Sequence, residues 1–211
     1  MAIVNDISLA VQQGKKNDVV ALVQKAVDEG VDTSVILNEG LIDAMSIIGD
    51  KFSRNEVFVP EMLIAARAMS AGTDTLKPLL VEQGTEPLGY AVIATVKGDM
   101  HDIGKNLVRM MIEGKGIEVA DLGVDVAADA FVDYLKAHPE CKLVCLSALL
   151  TTTLPMIPET IEAIKTAGLR DQVKILIGGA PVTQEFCEEV GADAYTPDAG
   201  SAALAAAKLL A

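Results

Sequence analysis

The chain has 211 residues, of which 51% are hydrophobic and only 3% aromatic, and its formal net charge is −13. This length suits one large domain or two small ones. The acidic balance disfavours nucleic-acid binding, which requires a basic face, and no apolar run reaches the roughly 18 residues of a membrane helix. The N-terminus lacks the pattern of a signal peptide. The three cysteines form no CxxC pair, so we expect reduced thiols in a cytoplasmic protein.

The first 84 residues carry helical periodicity without strand runs, which predicts a bundle of about four helices. Capping residues and glycine stops mark the ends of these helices. The predicted helices are one near Ile3–Val11, one from Asn17 or Asp18 to Gly30, one from Val35 to Ile48 capped by Asp32, Thr33 or Ser34, and one with Pro60 in its first turn.

Residues 82–89 are polar and interrupted by glycine and proline, which predicts a linker between domains at 1–84 and 89–211. From Tyr90 onward, strand and helix patterns alternate five times. The predicted strands are Tyr90–Val96, Ile117–Leu122, Leu143–Ser147, Val173–Ile177 and Asp193–Thr196. The predicted helices are Ile103–Glu113, Ala127–Ala137, Pro155–Thr166, Val182–Val190 and Gly200–Leu210. This alternation predicts a parallel α/β sheet of flavodoxin-like strand order 2-1-3-4-5.

The most informative stretch is the turn after the first strand, Asp99-Met100-His101-Asp102-Ile103-Gly104. Ligands of open α/β sheets bind at the carboxyl ends of the strands. A histidine at such an end can bind a metal through one ring nitrogen while a carboxylate two residues away holds the other. The alternative is a loop histidine with no ligand.

Two further strand ends fall on the same predicted edge of the sheet. The third strand is followed by small and hydroxyl-bearing residues from Ser147 to Thr153, and the fourth by Gly178-Gly179-Ala180. Taken singly, the threonines indicate an N-cap cluster ahead of Pro155 and the glycines a tight turn. Together the three ends put a metal ligand, hydroxyls and bare backbone on one rim, which predicts a long ligand. His138 is expected to be a surface turn residue.

The pattern Asp99-x-His101-x-x-Gly104, followed by Ser147-x-Leu149 and Gly178-Gly179, resembles the cobalamin-binding signature of methionine synthase and the corrinoid proteins. The gaps fit, since 42 residues separate Gly104 from Ser147 and 28 separate Leu149 from Gly178. The run Val96–Asn106 is similar as well, as are Val59-Pro60-Glu61-Met62 and Ala65–Met69. The resemblance implies an N-terminal four-helix bundle cap at 1–84 and a flavodoxin-like, Rossmann-type, five-stranded cobalamin-binding domain at 89–211.

The resemblance also implies roles for individual residues. The lower nucleotide tail of the corrinoid leaves the cobalt and enters a slot between residues 147–149 and Gly178-Gly179, where a β-carbon would block it. His101 takes the vacated position on the cobalt, Asp99 bonds its other nitrogen, and Thr153 continues this relay where methionine synthase has a serine. The implied cofactor-binding residues are Asp99, Met100, His101, Asp102, Ile103, Gly104, Ser147, Leu149, Thr151, Thr153, Gly178, Gly179 and Ala199, with His101 as the metal ligand.

In the helical half, Phe58 and Met62 match residues that cap the cobalt, although Phe58 could also be an ordinary bundle-core residue. A cap plus a corrinoid domain resembles the small methyl carriers of methylotrophic methanogens and acetogens, which are not catalytic alone. Their cofactor is cobalamin or a related cobamide. A substrate-specific corrinoid methyltransferase loads the cobalt, and a second methyltransferase passes the methyl group to coenzyme M or tetrahydrofolate. A reductive activase is the third expected partner.

Two other functions fit parts of the pattern. A cobalamin-dependent sensor would share both halves, but it needs a DNA-binding domain, and the acidic charge argues against it. A mutase small subunit would share only the corrinoid domain, and Val59–Met62 argues against it. The sequence leaves open the methyl donor (methylamine, methanol, aryl methyl ether or betaine), the final acceptor, the lower base of the corrinoid and the oligomeric state.

Overall fold

The computed structural model describes residues 2–82 and 87–211, and the chain divides into two compact units. The first is Met1–Pro87 with Gly114–Gly116, and the second is Leu88–Glu113 with Ile117–Ala211. Residues 83–86 of the predicted linker at 82–89 lie outside the described residues, so the domain boundaries stay predictions. Among the residues described, no helix combines the length and the apolar character needed to cross a bilayer.

The first unit is helical, as predicted. Its elements are α1 (Ala2–Gln12), α2 (Lys16–Asp28), α3 (Thr33–Val35), a π-helical segment (Ile36–Ile42), α4 (Asp43–Ser53) and α5 (Val59–Glu82). Their apolar faces meet in a core of aliphatic side chains and methionines that includes Ile7, Val11, Val19, Val23, Ile36, Leu41, Met45, Ile48 and Leu76. Since α3, the π-helical segment and α4 run on without a break, the unit has four helical rods.

The third rod differs from the simple helix expected between Val35 and Ile48, because residues 36–42 have π-helical geometry. Gly40 lies in this segment against α1, where an added β-carbon would be 3.2 Å from Cγ2 of Ile7. The glycine therefore lets the two helices approach closely. Of the three caps that the sequence offered, Asp32 is the one used, and its carboxylate accepts the N–H of Ser34 at 2.8 Å.

The second unit is a five-stranded sheet in the order β2-β1-β3-β4-β5, with every pair parallel, so the predicted flavodoxin-like topology is confirmed. The strands are β1 (Gly89–Val96), β2 (Ile117–Val126), β3 (Cys141–Ser147), β4 (Lys174–Gly178) and β5 (Ala194–Tyr195). The helices are α6 (Ile103–Glu113), α7 (Ala128–Ala137), α8 (Met156–Thr166), α9 (Gln184–Val190) and α10 (Ala199–Leu210), with a 3₁₀ turn at Arg170–Gln172.

The register of the strands decides which side chains share a face of this sheet. Ile93, Cys145 and Leu176 lie opposite one another on β1, β3 and β4. Their neighbour Val144 points to the other face, where it joins the core formed with Phe131 and the other apolar residues of α7, α8 and α9. Helices α6 and α10 contact each other and the strands. Both faces are therefore covered, which explains the near-continuous apolar strands.

Strand β2 runs four residues beyond its predicted end at Leu122, to Val126. Gly123 indicates a strand break in the sequence, but here it has a φ of +96°, and Asp125 has a φ of +55°. The pairing of β2 with β1 shifts its register twice over this stretch. Such irregularities bend a strand and redirect its end. As a result, Asp125 reaches the turn that follows β1.

Candidate functional site

The carboxyl ends of β1, β3, β4 and β5 border a groove of about 560 Å³ in the α/β unit. Its walls come from α6 and α10. Ten of the residues predicted to bind a ligand line this groove, namely Met100, His101, Asp102, Ile103, Gly104, Ser147, Leu149, Gly178, Gly179 and Ala199. Asp99 and Thr153 are buried next to the groove wall, and Thr151 is exposed but does not line the groove.

Asp99 is a fully buried carboxylate that joins the turns after β1 and β3. Its Oδ1 lies 2.7 Å from Nδ1 of His101 and accepts the backbone N–H of the same residue at 3.1 Å. Its Oδ2 accepts the backbone N–H groups of Leu149 at 2.7 Å and Leu150 at 3.2 Å, and the hydroxyl of Thr153 at 2.8 Å. One side chain therefore fixes both loops.

Two opposing effects set the pKa of Asp99. Burial alone would raise it, but the hydrogen bonds from the N–H of Leu149, from His101 and from the hydroxyl of Thr153 outweigh burial and hold the pKa well below its ordinary value. Asp99 is therefore ionised at neutral pH, the state in which a carboxylate best supports a histidine that binds a metal.

The ring of His101 is half-exposed, and only its Nδ1 faces Asp99. Its side chain is 51% exposed, and with the proton on Nδ1, facing Asp99, the lone pair is on Nε2. Its carbonyl oxygen is also held, by the hydroxyl of Thr95 at 2.7 Å. Within the described part of the chain, no three His, Cys, Asp or Glu side chains gather as a metal site. A metal on Nε2 must therefore bring its other ligands with it.

Asp125 holds the same turn from the β2 side, a role that the sequence reasoning missed. Its Oδ1 accepts the N–H of Gly98 at 2.7 Å, and its own N–H donates to the carbonyl of Asp99 at 2.9 Å. Its φ of +55° is one that aspartate tolerates better than most residues. The available signal was weak, namely an acidic residue three positions beyond the predicted end, at Leu122, of a strand predicted to neighbour β1.

The fold itself requires a glycine at position 179, in addition to the reason that the resemblance implied. An added β-carbon would lie 1.8 Å from the carbonyl oxygen of Ala148, and the φ of Gly179 is +129°. The two loops are joined at this point, since the N–H of Ala148 donates to the carbonyl of Gly178 at 3.1 Å. A side chain at 179 would therefore collide with the backbone after β3. Gly179 also lines the groove, so the expectation that a β-carbon there would block the ligand slot stays a prediction.

Gly104 and Gly178, by contrast, adjoin open space on the groove. A β-carbon at Gly104 would meet nothing within 4 Å, and one at Gly178 would make only an ordinary contact of 3.7 Å with the carbonyl oxygen of Thr196. Neither glycine has a positive φ. Because glycine weakens a helix relative to alanine, the fold gives no reason for Gly104 at the start of α6. The free space beside it is available to a ligand.

Large apolar side chains surround His101 at the surface. Met100 is 69% exposed, Ile103 78% and Leu149 40%. Exposed apolar clusters of this kind mark binding surfaces. Asp102 has a local role as well, because its carbonyl and carboxylate oxygens both accept hydrogen bonds from Asn106 at the start of α6.

The two residues implicated in the helical unit differ in exposure. Phe58 is 64% exposed, so the alternative of an ordinary core residue is wrong for this side chain. Met62 has no exposed surface, and its N–H donates to the carbonyl of Phe58 at 3.1 Å. In this structure Phe58 alone of the pair offers a surface to a ligand, and the contact of Met62 with a ligand stays a prediction.

Comparison with known families gives a match for each unit. A family model described as B12 binding domain matches residues 89–208. A second model with the same description matches residues 3–77.

Individual relatives match over nearly the whole chain. Dimethylamine corrinoid protein 1 of Methanosarcina acetivorans is 42% identical over 210 residues, which are 99% of this chain and 98% of the relative. A cobalamin-binding protein of Desulfitobacterium hafniense has a solved structure that is 32% identical, with a TM-score of 0.80 and 98% of both chains covered. The methanol:cobalamin methyltransferase complex MtaBC of Methanosarcina barkeri matches at 26% identity and a TM-score of 0.88, over 99% of this chain and 80% of that one.

The buried carboxylate predicts a pH dependence of stability. Because the pKa of Asp99 is lowered by folding, its contribution is complete above the unfolded pKa of about 3.9 and is lost as the pH falls below it. We expect Asp99→Asn to lower the free energy of unfolding by about 2 kcal/mol at pH 7, and the difference from wild type to shrink below pH 4. Urea unfolding at several pH values measures this. Asp129→Asn, exposed on α7, is the control, and a difference that does not depend on pH would contradict the assignment.

The two kinds of glycine predict opposite changes in stability. Gly179→Ala meets both the backbone of Ala148 and a strained φ, so we expect it to cost roughly 3 kcal/mol. Gly104→Ala has free space and a helical backbone, so we expect a gain of about 0.5 kcal/mol. Thermal and urea unfolding of the apoproteins compare the two variants. Equal destabilisation by both would show that Gly104 also serves the fold.

Proposed function

The chain belongs to the family of corrinoid proteins with B12 binding domains, and we propose that it carries methyl groups on the cobalt of a bound corrinoid between partner methyltransferases. The observation that carries the proposal is His101, whose Nδ1 is fixed by a buried carboxylate while its half-exposed ring borders the groove. A bound corrinoid would supply the metal centre that accepts and releases the methyl group. The protein supplies the lower ligand, the binding slot and the docking surfaces.

The described residues fit this cofactor in three respects. A corrin ring brings four of the cobalt ligands itself, which agrees with a site that offers one histidine and no cluster of metal-binding side chains among the described residues. The groove of about 560 Å³ would hold the nucleotide tail of the cofactor. The exposed apolar side chains of Met100, Ile103 and Leu149 suit the hydrocarbon edge of the ring.

Each residue near His101 has a proposed task that follows from its contacts. Asp99 keeps the proton on Nδ1 and thereby keeps Nε2 available as a ligand. The hydroxyl of Thr153 donates to Asp99 and anchors it. Thr95 and Asp125 hold the backbone of the turn. We propose that Phe58 covers the upper face of the cofactor, as the resemblance implied.

The proposed partners follow from the relatives. MtaBC is a methanol:cobalamin methyltransferase complex, which supports a substrate-specific methyltransferase as the first partner of this chain. A second methyltransferase, for coenzyme M or tetrahydrofolate, and a reductive activase are further proposals. The cysteines Cys141, Cys145 and Cys187 are free and buried, which supports a cytoplasmic location. The relatives give no support to the sensor alternative.

The ligand assignment predicts a spectroscopic difference between the two histidines. We expect protein labelled with ¹⁵N-histidine and loaded with Co(II) corrinoid to show nitrogen coupling from that label in its paramagnetic resonance spectrum. His101→Ala should lose this coupling, because it lacks Nε2. His138→Ala should keep it, because His138 pairs with Glu140 at 3.0 Å in a surface turn. Identical spectra for wild type and His101→Ala would refute the assignment.

Methyl transfer in a reconstituted system tests the function. We expect the corrinoid-loaded protein, with a substrate-specific methyltransferase, a second methyltransferase and a reductant, to convert one member of a donor panel. The panel contains monomethylamine, dimethylamine, methanol, an aryl methyl ether and betaine, and methylated coenzyme M or tetrahydrofolate is measured by mass spectrometry. Apoprotein should give no product. Corrinoid bound through His101 without transfer from any donor, using methyltransferases shown to work with another corrinoid protein, would contradict the carrier function.

A further inference from the structure

The deep part of the groove is apolar. Its floor is the row Ile93, Cys145 and Leu176 across three strands, and each of these side chains is no more than 3% exposed. Leu107 and Val108 of α6 and Ala202 of α10 contribute the walls. A flat aromatic group that enters this space would therefore meet hydrocarbon and one sulfur atom.

The charged side chains at the edge of the groove are already engaged. The ammonium group of Lys105 contacts the carboxylate of Asp121 and lies 2.9 Å from the amide oxygen of Asn106. The carboxylate of Asp198 accepts the N–H of Ser201 at 2.9 Å and its hydroxyl at 2.7 Å. The backbone groups of β3 and β4 are used in the sheet ladder. Apart from the hydroxyls of Ser147, Tyr195 and Thr196, which border the same groove, little hydrogen-bonding capacity remains for a ligand at the floor.

We propose that this groove selects corrinoids by their lower base, and that it accepts apolar bases such as a dimethylbenzimidazole or cresol ring over a purine. The inference rests on the proposed function, since it takes the groove as the slot for the nucleotide tail. A purine carries ring nitrogens and an amino group that are hydrogen-bonded in water. Buried against this floor, those groups lose their partners, and an unsatisfied buried polar group is costly.

Cys145 is the residue of the floor that tunes this selectivity. Burial raises the pKa of its thiol, so it stays neutral and acts as a small apolar side chain. Cys145→Ser changes one atom and places a hydroxyl on the floor, where it can pair with a purine nitrogen. Val144→Thr is the matched control, because it places a hydroxyl at the adjacent, equally buried position on the opposite face of β3.

The experiment measures dissociation constants of apoprotein for adeninyl, cresolyl and dimethylbenzimidazolyl cobamides and for cobinamide, which lacks a base, by absorbance titration at one oxidation state. Cresol has no nitrogen to bind cobalt, whereas adenine and dimethylbenzimidazole must both leave the metal before a histidine replaces them. Dimethylbenzimidazole is the stronger cobalt ligand of the two, so tighter binding of its cobamide than of adeninyl cobamide does not arise from this displacement. We expect adeninyl cobamide to bind at least about tenfold more weakly than cresolyl cobamide, equivalent to about 1.4 kcal/mol. Cys145→Ser should reduce this ratio by about threefold or more, and Val144→Thr should leave it unchanged.

The outcomes separate this inference from the proposed function. Equal affinity of wild type for adeninyl and cresolyl cobamides would overturn the selectivity while corrinoid binding stands. Cobinamide that binds as tightly as cresolyl cobamide would show that the groove does not hold the base, and would overturn the inference too. If the ratio of the adeninyl to the cresolyl dissociation constant fell equally in Cys145→Ser and Val144→Thr, Cys145 would not be the residue that tunes the selectivity. Absence of binding by every corrinoid would refute the proposed function itself. Thermal unfolding of each variant checks that it is folded.

Discussion

The site depends on how the charge of Asp99 is buried. An ionised carboxylate without water is stable in a protein only where donors converge on it. Here the donors are backbone N–H groups of the loop after β3, the hydroxyl of Thr153, and the backbone and ring of His101. Satisfying this one charge therefore determines where the β3 loop lies and which way the imidazole faces. The tautomer that leaves Nε2 as the ligand is a consequence of the same requirement.

The described residues form no cluster of three or more metal-binding side chains, which is consistent with the cofactor that the family binds. A protein that builds its own metal site must converge several side chains on the ion, and each must be desolvated and fixed. Among the described residues, the site presents one histidine beside a groove with an apolar floor, and exposed apolar side chains lie next to that histidine. Such a site would suit a metal that arrives already held by a macrocycle, for which His101 would supply one further ligand.

Much of the fold could be predicted from the sequence because hydrophobic period and strand–helix alternation are local signals. The start and end of α6 agree with the prediction, as does the order of the strands. The end of β2 differs from the prediction. A glycine such as Gly123 usually ends a strand when judged from its sequence neighbours alone, but in the sheet it belongs to an irregular stretch of β2 that pairs with β1. Asp125 was missed for the same reason. Its bond to the N–H of Gly98 spans 27 residues, which no local pattern encodes.

A sequence motif does not distinguish a glycine that the ligand requires from one that the fold requires, and two glycines of the binding motif illustrate this. Gly104 and Gly179 both lack a β-carbon, and the resemblance gave both to the cofactor. In the structure, Gly179 meets the backbone of Ala148 and has a strained φ, so the fold itself requires it. Gly104 meets nothing, and its helix would be more stable with alanine. A residue that is worse for the fold than its nearest substitute indicates a demand from outside the fold. By this criterion Gly104 is the better candidate for a residue selected by a ligand, whereas Gly179 is required by the way the loops after β3 and β4 are joined.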